Sequence, residues 1–198
     1  MGVSSAEADL SDPDALATDA ARIIGGIDWG TGLAGLVANA GVLDPIGPLD
    51  RVDPDAAIRH VTVNLTAPLV WAATFLRATA GIAERRIAFV SSGAGRNPYP
   101  GWGPYCAAKA GLDHLARVLA TEGHAGLRVE SLAPGVVDTD MQSTIRATDP
   151  ADFPAQPRFV AMAAAGELPT AAEVGERFVA RLTGPSFGDE VTSDLRGS

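Results

Sequence analysis

The sequence lacks several features by which major protein classes are recognised. Its 198 residues include one cysteine, Cys106, which excludes an internal disulfide framework and a cysteine-cluster zinc site and is typical of a reducing cytosol. Basic residues are also few, because 15 Lys and Arg stand against 24 Asp and Glu, a formal net charge of −9. With no basic stripe to neutralise phosphates, we expect neither a nucleic-acid partner nor an anionic membrane surface.

Long apolar runs are missing as well. The longest, residues 65–73, is far shorter than the ~20 residues of a membrane-spanning helix and contains Pro68. The first residues lack the cationic and apolar regions of a signal peptide. A composition of 46% hydrophobic and 20% charged residues is globular rather than disordered. We therefore expect a cytoplasmic protein with a single domain over residues 1–198.

Short apolar runs and longer helical stretches alternate along the chain. The runs predict buried strands at Leu33–Ala38, 87–90 and 127–132. Helical spacing follows at residues 11–26, 54–78, 105–123 and 171–182. This order predicts βαβ units, and hence an α/β fold whose parallel sheet carries helices on both faces.

Four local features refine this outline. The first helix should begin at Ser11 or Asp12, with Pro13 in its first turn, and Pro68 should kink the second helix or fall near a bend. Residues 138–169 contain four prolines, which predicts a long functional loop or a small helical flap. Residues 30–35 spell G-x-G-x-x-G, but a helix ends before them and the strand Leu33–Ala38 overlaps their second half, so we interpret them as a turn without a cofactor role.

Ser92, Tyr105 and Lys109 are candidate catalytic residues. Ser92 ends an apolar strand, Tyr105 follows thirteen residues later, and Lys109 lies four residues beyond. Residues four apart share a helix face, so the Lys109 ammonium would lower the Tyr105 pKa from about 10 and make the phenol a usable acid or base. Ser92 would bind the same substrate oxygen. Taken singly, each residue is more often structural: a solvated lysine, a helix-start aromatic and a strand-end cap.

Five motifs in order give the chain a resemblance to the short-chain dehydrogenase/reductase family. They are Asp9-Leu10 at an acidic strand end, Asn39-Ala40-Gly41 after a strand, Asn64 on a long helix, the Ser92, Tyr105 and Lys109 set, and the Pro-Gly segment at residues 134–139. The resemblance implies a Rossmann-like, doubly wound parallel sheet. It also implies an NADP(H)-dependent carbonyl reductase, with NADP preferred and NAD left open.

The resemblance assigns roles to individual residues. Hydride passes from the nicotinamide to a ketone or dicarbonyl carbon, Tyr105 donates the proton, Ser92 holds the oxygen, Lys109 also binds the ribose, and Asn64 supports a water-mediated proton relay. The implied cofactor-binding residues are Asp9, Leu10, Asn39, Ala40, Gly41, Tyr105, Lys109, Pro134, Gly135, Val137 and Thr139.

Within the family, residues 101–110 and 138–142 resemble sepiapterin and benzil reductases. Trp102 would then face an aromatic substrate, or it packs its loop. Asp194 is either the counterpart of a substrate-anchoring acid or a solvated carboxylate. A homodimer or homotetramer is implied, and the three histidines, His60, His114 and His124, receive no metal role.

The family's glycine-rich first unit has no counterpart in this sequence, which starts at what resembles the third strand. Two βα units, roughly 60 residues, are thus expected to be lacking. Three interpretations follow: a reductase represented by a truncated chain, a catalytically silent homologue, or a non-enzymatic subunit that pairs with a longer relative.

Overall fold

The computed structural model describes residues 5–196 and is built on a parallel four-stranded sheet. The strands lie in the order β1 (Leu33–Ala38), β2 (Glu84–Val90), β3 (Leu127–Ala133) and β4 (Thr192–Asp194). Three of them follow the predicted apolar runs. The fourth was not predicted, because its three residues are polar and leave no apolar signal.

Seven α-helices are described around this sheet. They are α1 (Leu16–Gly25), α2 (Pro54–Val61), α3 (Ala67–Ala78), α4 (Gly103–Glu122), α5 (Asp140–Ala147), α6 (Gln156–Ala164) and α7 (Ala171–Thr183). Helices α1, α3 and α4 pack on one face, where Phe75, Phe89 and Leu112 are buried in the main core. Helix α7 packs on the other face, where its Val174 meets Leu132 of β3. The predicted α/β sheet with helices on both faces is thus confirmed.

A buried carboxylate connects α7 to the sheet. Glu130 of β3 is fully buried and accepts hydrogen bonds from Arg181 Nε at 3.0 and 3.1 Å and from the Gly188 N–H at 2.9 Å. The Ser193 hydroxyl also donates to it. One side chain therefore joins β3 to α7 and β4.

The same face of the sheet is open over β1. Leu33 and Val37 of this strand are each 41% exposed, although both are apolar. Along residues 5–196 no further strand pairs with the outer edge of β1. The sheet is therefore covered on both faces only over β2 to β4.

The first helix begins later than predicted. Asp12 does not cap it, because its carboxylate accepts from the N–H groups of Asp14 and Ala15 and holds a turn ahead of the helix. Helix α1 starts at Leu16 with Ala15 at the N-cap, which makes no side-chain cap.

The disturbance expected at Pro68 takes the form of a π-helical turn. Residues Thr62–Thr66 join α2 to α3 with wider hydrogen bonds, including Ala67 N–H to the Thr62 carbonyl. Pro68 has no N–H, so the Asn64 carbonyl lacks its usual donor four residues later. Such π-turns are frequent at functional sites, and this one contains Asn64.

Residues 138–169 form a helical flap, the second of the two predicted forms. The flap buries Ile145 of α5, Phe159 of α6 and Phe153, which lies between the two helices, in one cluster with Trp102. Within the part of the chain that is described, no helix is both long and apolar enough to cross a bilayer.

We predict that Glu130→Ala lowers the free energy of unfolding by about 3 kcal/mol, because it leaves the Arg181 guanidinium and the Gly188 N–H without their acceptor inside the fold. Urea denaturation measures the change. Glu190→Ala is the control, since Glu190 is exposed and its loss should change stability little. Equal effects of the two substitutions would contradict the role given to Glu130.

Candidate active site

A cavity of about 770 Å³ opens at the carboxyl ends of β1, β2 and β3. Open parallel sheets bind their ligands at this edge. Most of the residues predicted from the sequence contribute to its wall: Asn39, Ala40, Gly41, Ser92, Trp102, Tyr105, Lys109, Pro134, Gly135, Val137 and Thr139. The fold thus brings together segments that are far apart in the chain.

Two hydroxyl groups meet in this wall. Ser92 follows β2 and accepts the Ala94 N–H at 3.1 Å, which fixes it at the start of a 3₁₀ turn, Gly93–Gly95. Tyr105 lies in the first turn of α4 and is 7% exposed. The Ser92 hydroxyl lies close enough to the Tyr105 phenol to influence its pKa. A carbonyl oxygen bound here would meet both groups.

The expected lowering of the Tyr105 pKa is wrong for the structure. Burial raises this pKa above its ordinary value of 10.0, and the neighbouring Ser92 hydroxyl opposes the rise only in part. The Lys109 ammonium lies 5.6 Å from the centre of the Tyr105 ring and is not among the causes of the shift. Tyr105 is therefore held as a neutral phenol near neutrality.

Lys109 is itself buried beneath the cavity. Its ammonium donates to the Val90 carbonyl at 2.7 Å, and the residue is 4% exposed. Burial lowers the pKa of Lys109 to about 8, while the nearby Asp113 carboxylate acts in the opposite direction. Lys109 therefore begins to lose its charge within the range of ordinary assays.

Asp113, one turn beyond Lys109, was missed by the sequence analysis. Its carboxylate is 3% exposed and accepts from the hydroxyls of Ser91 at 2.6 Å and Ser131 at 2.7 Å, and from Arg96 Nε at 3.1 Å. Arg96 in turn donates to the Ser193 carbonyl at 2.9 Å. The spacing of four residues from Lys109 is the signal that would have pointed to Asp113.

Asn64 lies behind the cavity wall and is fully buried. Its side-chain amide donates to the Val42 carbonyl at 2.7 Å, and its oxygen accepts the Val42 N–H at 2.9 Å. The turn before Val42 must approach closely, because a Cβ on Gly41 would lie 3.0 Å from the Asn64 oxygen. A side chain at position 41 would therefore force the Asn64 amide to shift by a few tenths of an ångström.

Trp102 packs its loop, one of the two interpretations of its sequence, while contact with an aromatic substrate stays a prediction. It is 4% exposed and stacks on Phe153 with ring centres 4.2 Å apart and planes 13° from parallel. It also packs edge-on against Tyr105 and at a tilt of 49° against Phe159. Trp102 nevertheless lines the cavity, so it packs the flap and forms part of the wall.

Three predicted residues lie elsewhere. Leu10 lines a second cavity of about 330 Å³, which also touches Asn39 and Ala40. The Asp9 carboxylate is exposed and accepts from the Ser11 N–H and hydroxyl. Asp194 is held by the Arg196 guanidinium at 2.6 and 2.9 Å, and Arg196, not Asp194, lines the large cavity. Asp194 is thus not placed as a free anchor for a substrate.

The residues present fit one half of a nicotinamide dinucleotide. A phenol, an ammonium group and the backbone of residues 134–139 line one cavity and suit a ribose and a carboxamide. The glycine-rich run at residues 30–35 leads into β1 and includes its first residues, so it lies at the opposite end of the sheet. Residues 5–196 thus offer no strand-to-helix glycine turn of the kind that holds a pyrophosphate.

We predict that Asp113→Asn lowers the pKa of Lys109 below about 8, by roughly one unit, because the opposing negative charge is lost. Lys109 is the only lysine in the sequence, so the ¹³Cε signal of labelled lysine reports its titration without overlap. Asp55→Asn, an identical charge change at an exposed position, should leave the midpoint in place. An unchanged midpoint in Asp113→Asn would refute the coupling.

Known proteins similar to this chain share one family. The profile of the family described as short chain dehydrogenase matches residues 2–150. A benzil reductase ((S)-benzoin forming) from Bacillus cereus is 38% identical over 165 residues, which cover 81% of this chain and 66% of the relative. A sepiapterin reductase from Bos taurus is 37% identical over 118 residues, covering 57% of this chain and 43% of the relative. The chain spans two thirds or less of either protein.

Solved structures with a similar fold also include a short chain dehydrogenase. A short chain dehydrogenase of Escherichia coli CFT073, whose crystal structure is a complex with NADPH, superposes with a TM-score of 0.74 at 25% sequence identity. The superposition covers 96% of this chain and 73% of that protein. The extent of these matches and the motifs gathered at the cavity lead to one conclusion: the chain belongs to the short-chain dehydrogenase/reductase family.

Proposed function

We propose that the protein is an NADPH-dependent carbonyl reductase acting on a ketone or a dicarbonyl compound. The observation that carries this proposal is the gathering of the Ser92 hydroxyl, the Tyr105 phenol and the Lys109 ammonium in the wall of one cavity, with Lys109 Nζ 5.6 Å from the centre of the Tyr105 ring. These groups supply hydrogen-bond donors for a carbonyl oxygen and a cation next to the proton donor.

The chain's own residues would perform the proton chemistry. Ser92 and Tyr105 donate hydrogen bonds to the carbonyl oxygen, which polarises the carbonyl bond. NADPH, when bound, supplies a hydride to the carbonyl carbon. As charge develops on the oxygen, Tyr105 gives up its phenolic proton, which burial holds in place near neutrality. Ser92 and the Lys109 ammonium stabilise the phenolate that remains.

The same wall would hold the cofactor. Tyr105 and Lys109 would contact the nicotinamide ribose, and residues 39–41 and 134–139 would border the ring and sugar. NADPH is proposed over NADH because a structural relative was crystallised with NADPH and the sequence resembles sepiapterin reductases. The Asn64 carbonyl, without its α-helical donor, would accept from the water of a proton relay.

Aromatic groups in the wall favour an aromatic substrate. Tyr99, Trp102 and Phe159 line the cavity together with apolar residues of the flap. Planar aromatic groups pack well against such rings. The names of the relatives, benzil reductase and sepiapterin reductase, agree with this substrate class.

One observation favours the alternative function, a non-enzymatic subunit. The apolar side chains of Leu33 and Val37 are exposed along β1, which suits contact with another chain. Co-purification with a longer homologue, in the absence of turnover, would support this alternative.

We further propose that the protein assembles as a homodimer or homotetramer in the cytoplasm.

We predict that Tyr105→Phe reduces kcat for benzil at least about a hundredfold, because the proton donor is lost. The consumption of NADPH by the full chain measures turnover, with NADPH in excess. Tyr99→Phe removes the only other tyrosine hydroxyl and should retain most of the turnover. Normal turnover in Tyr105→Phe would contradict the role of Tyr105.

We also predict weak NADPH binding by this chain. The described residues supply contacts for the nicotinamide half but no cradle for the pyrophosphate, which normally contributes much of the affinity. Titration calorimetry should give a dissociation constant well above the micromolar range. Micromolar affinity would show that other residues bind the phosphates.

A further inference from the structure

His60 is a buried histidine that the proposed chemistry does not use. It lies in the last turn of α2 and is 1% exposed. Its Nδ1 is 2.8 Å from the Asp44 carbonyl oxygen, and its Nε2 is 2.7 Å from the Asn64 amide nitrogen. The ring thus spans the gap between the segment after β1 and the π-helical turn.

The partners of His60 fix its protonation. A carbonyl oxygen only accepts, so Nδ1 carries the proton that it shares with Asp44. Asn64 is oriented independently, because its oxygen accepts the Val42 N–H and its nitrogen donates to the Val42 carbonyl. The amide nitrogen therefore donates to Nε2, which must be free of hydrogen. Only the neutral Nδ1–H tautomer satisfies both contacts.

We propose that neutral His60 is a positioning residue that locks the Asn64 amide, and through it the turn at residues 39–42, against Lys109, and that protonation of His60 opens this lock. If Nε2 also carried a proton, its N–H would face the Asn64 N–H, and two donors cannot hydrogen-bond to each other. The kinetic part of this inference rests on the proposed reductase function.

The hydrogen bonds of Asn64 reach the turn that forms part of the cavity wall. Asn64 holds Val42 through both of its backbone groups, and Gly41 stands directly before Val42. A Cβ on Gly41 would lie 3.7 Å from Lys109 Nζ, so the turn and the ammonium group are close neighbours. Loosening Asn64 would therefore displace the turn beside Lys109 and change how the cavity holds a ribose.

The charges around His60 oppose protonation. The titratable groups that face it are Asp44, from the segment after β1, and Lys109 and Tyr105 of α4, whose ring centre lies 6.0 Å from that of His60. Burial, with the Lys109 charge, lowers the pKa of His60 below 6.5, although Asp44 acts in the opposite direction. Because the unfolded chain binds the proton first, this group's contribution to stability is complete above pH 6.5 and falls as the pH decreases below it.

Two substitutions separate the contacts of the ring. In His60→Gln, the amide oxygen can take the position of Nε2 and accept from Asn64, while the link to Asp44 is lost. In His60→Asn, the amide nitrogen can take the position of Nδ1 and donate to Asp44, while the link to Asn64 is lost. His124→Gln, at an exposed histidine beyond the end of α4, is the control.

Turnover of benzil with NADPH is measured as a function of pH for wild type, His60→Gln, His60→Asn and His124→Gln. We expect His60→Asn to lose at least tenfold in kcat/KM and His60→Gln to lose clearly less. In wild type and in His124→Gln, we expect kcat/KM to fall as the pH becomes acidic. This fall should be weaker in His60→Gln, because the glutamine side chain cannot be protonated. Equal losses in both His60 variants, or an unchanged acid limb in His60→Gln, would overturn the inference.

Hydrogen exchange at the Val42 amide tests the lock without any turnover. Relative to wild type at the same pH, protection of this amide should fall in His60→Asn and be largely retained in His60→Gln. If wild type shows no turnover but the exchange pattern holds, the proposed reductase function fails and the positioning role stands. If turnover is present and Val42 is equally protected in both variants, the positioning role fails alone.

Discussion

The position of α4 relative to the sheet depends on the buried Asp113 carboxylate. It gathers the hydroxyls of Ser91 and Ser131 and the guanidinium of Arg96, and these residues follow or belong to β2 and β3. A buried carboxylate needs such partners, because an unpaired charge in the interior would cost several kcal/mol. The requirement fixes the rotation of α4 about its axis. With that rotation, Tyr105 and Lys109 face the end of β2, where Ser92 stands.

Burial has opposite consequences for the two ionisable groups of this helix face. It raises the pKa of Tyr105 and lowers that of Lys109, and both shifts follow from removing a charged form from water. The phenol therefore keeps its proton, while the ammonium group keeps its charge only through neighbours such as Asp113. A neutral proton donor and a stabilising cation can thus coexist in one cavity wall without forming an ion pair in the resting state.

The sequence predicted the elements whose signals are local. The apolar runs of β1, β2 and β3 and the spacing of Ser92, Tyr105 and Lys109 were sufficient to locate the sheet and the cavity, and the family match confirms the resemblance. Strand β4 escaped prediction because Thr192, Ser193 and Asp194 are held by Glu130, β3 and Arg196 and carry no apolar pattern. The direction of the Tyr105 pKa was mistaken because burial, which spacing does not reveal, outweighs a cation that faces the ring. His60 and Asp113 matter through contacts made across the fold, with Asp44 and with Ser131.

Lys109 is the chain's only lysine, and it stands in the cavity wall. Every other basic side chain apart from the histidines is an arginine, so the outer surface carries no lysine ammonium group. Apart from the amino terminus, the amine chemistry of this protein is thus confined to the cavity. Any lysine-specific spectroscopic signal of this protein therefore comes from the cavity wall, and a ligand that contacts Lys109 would change that single signal.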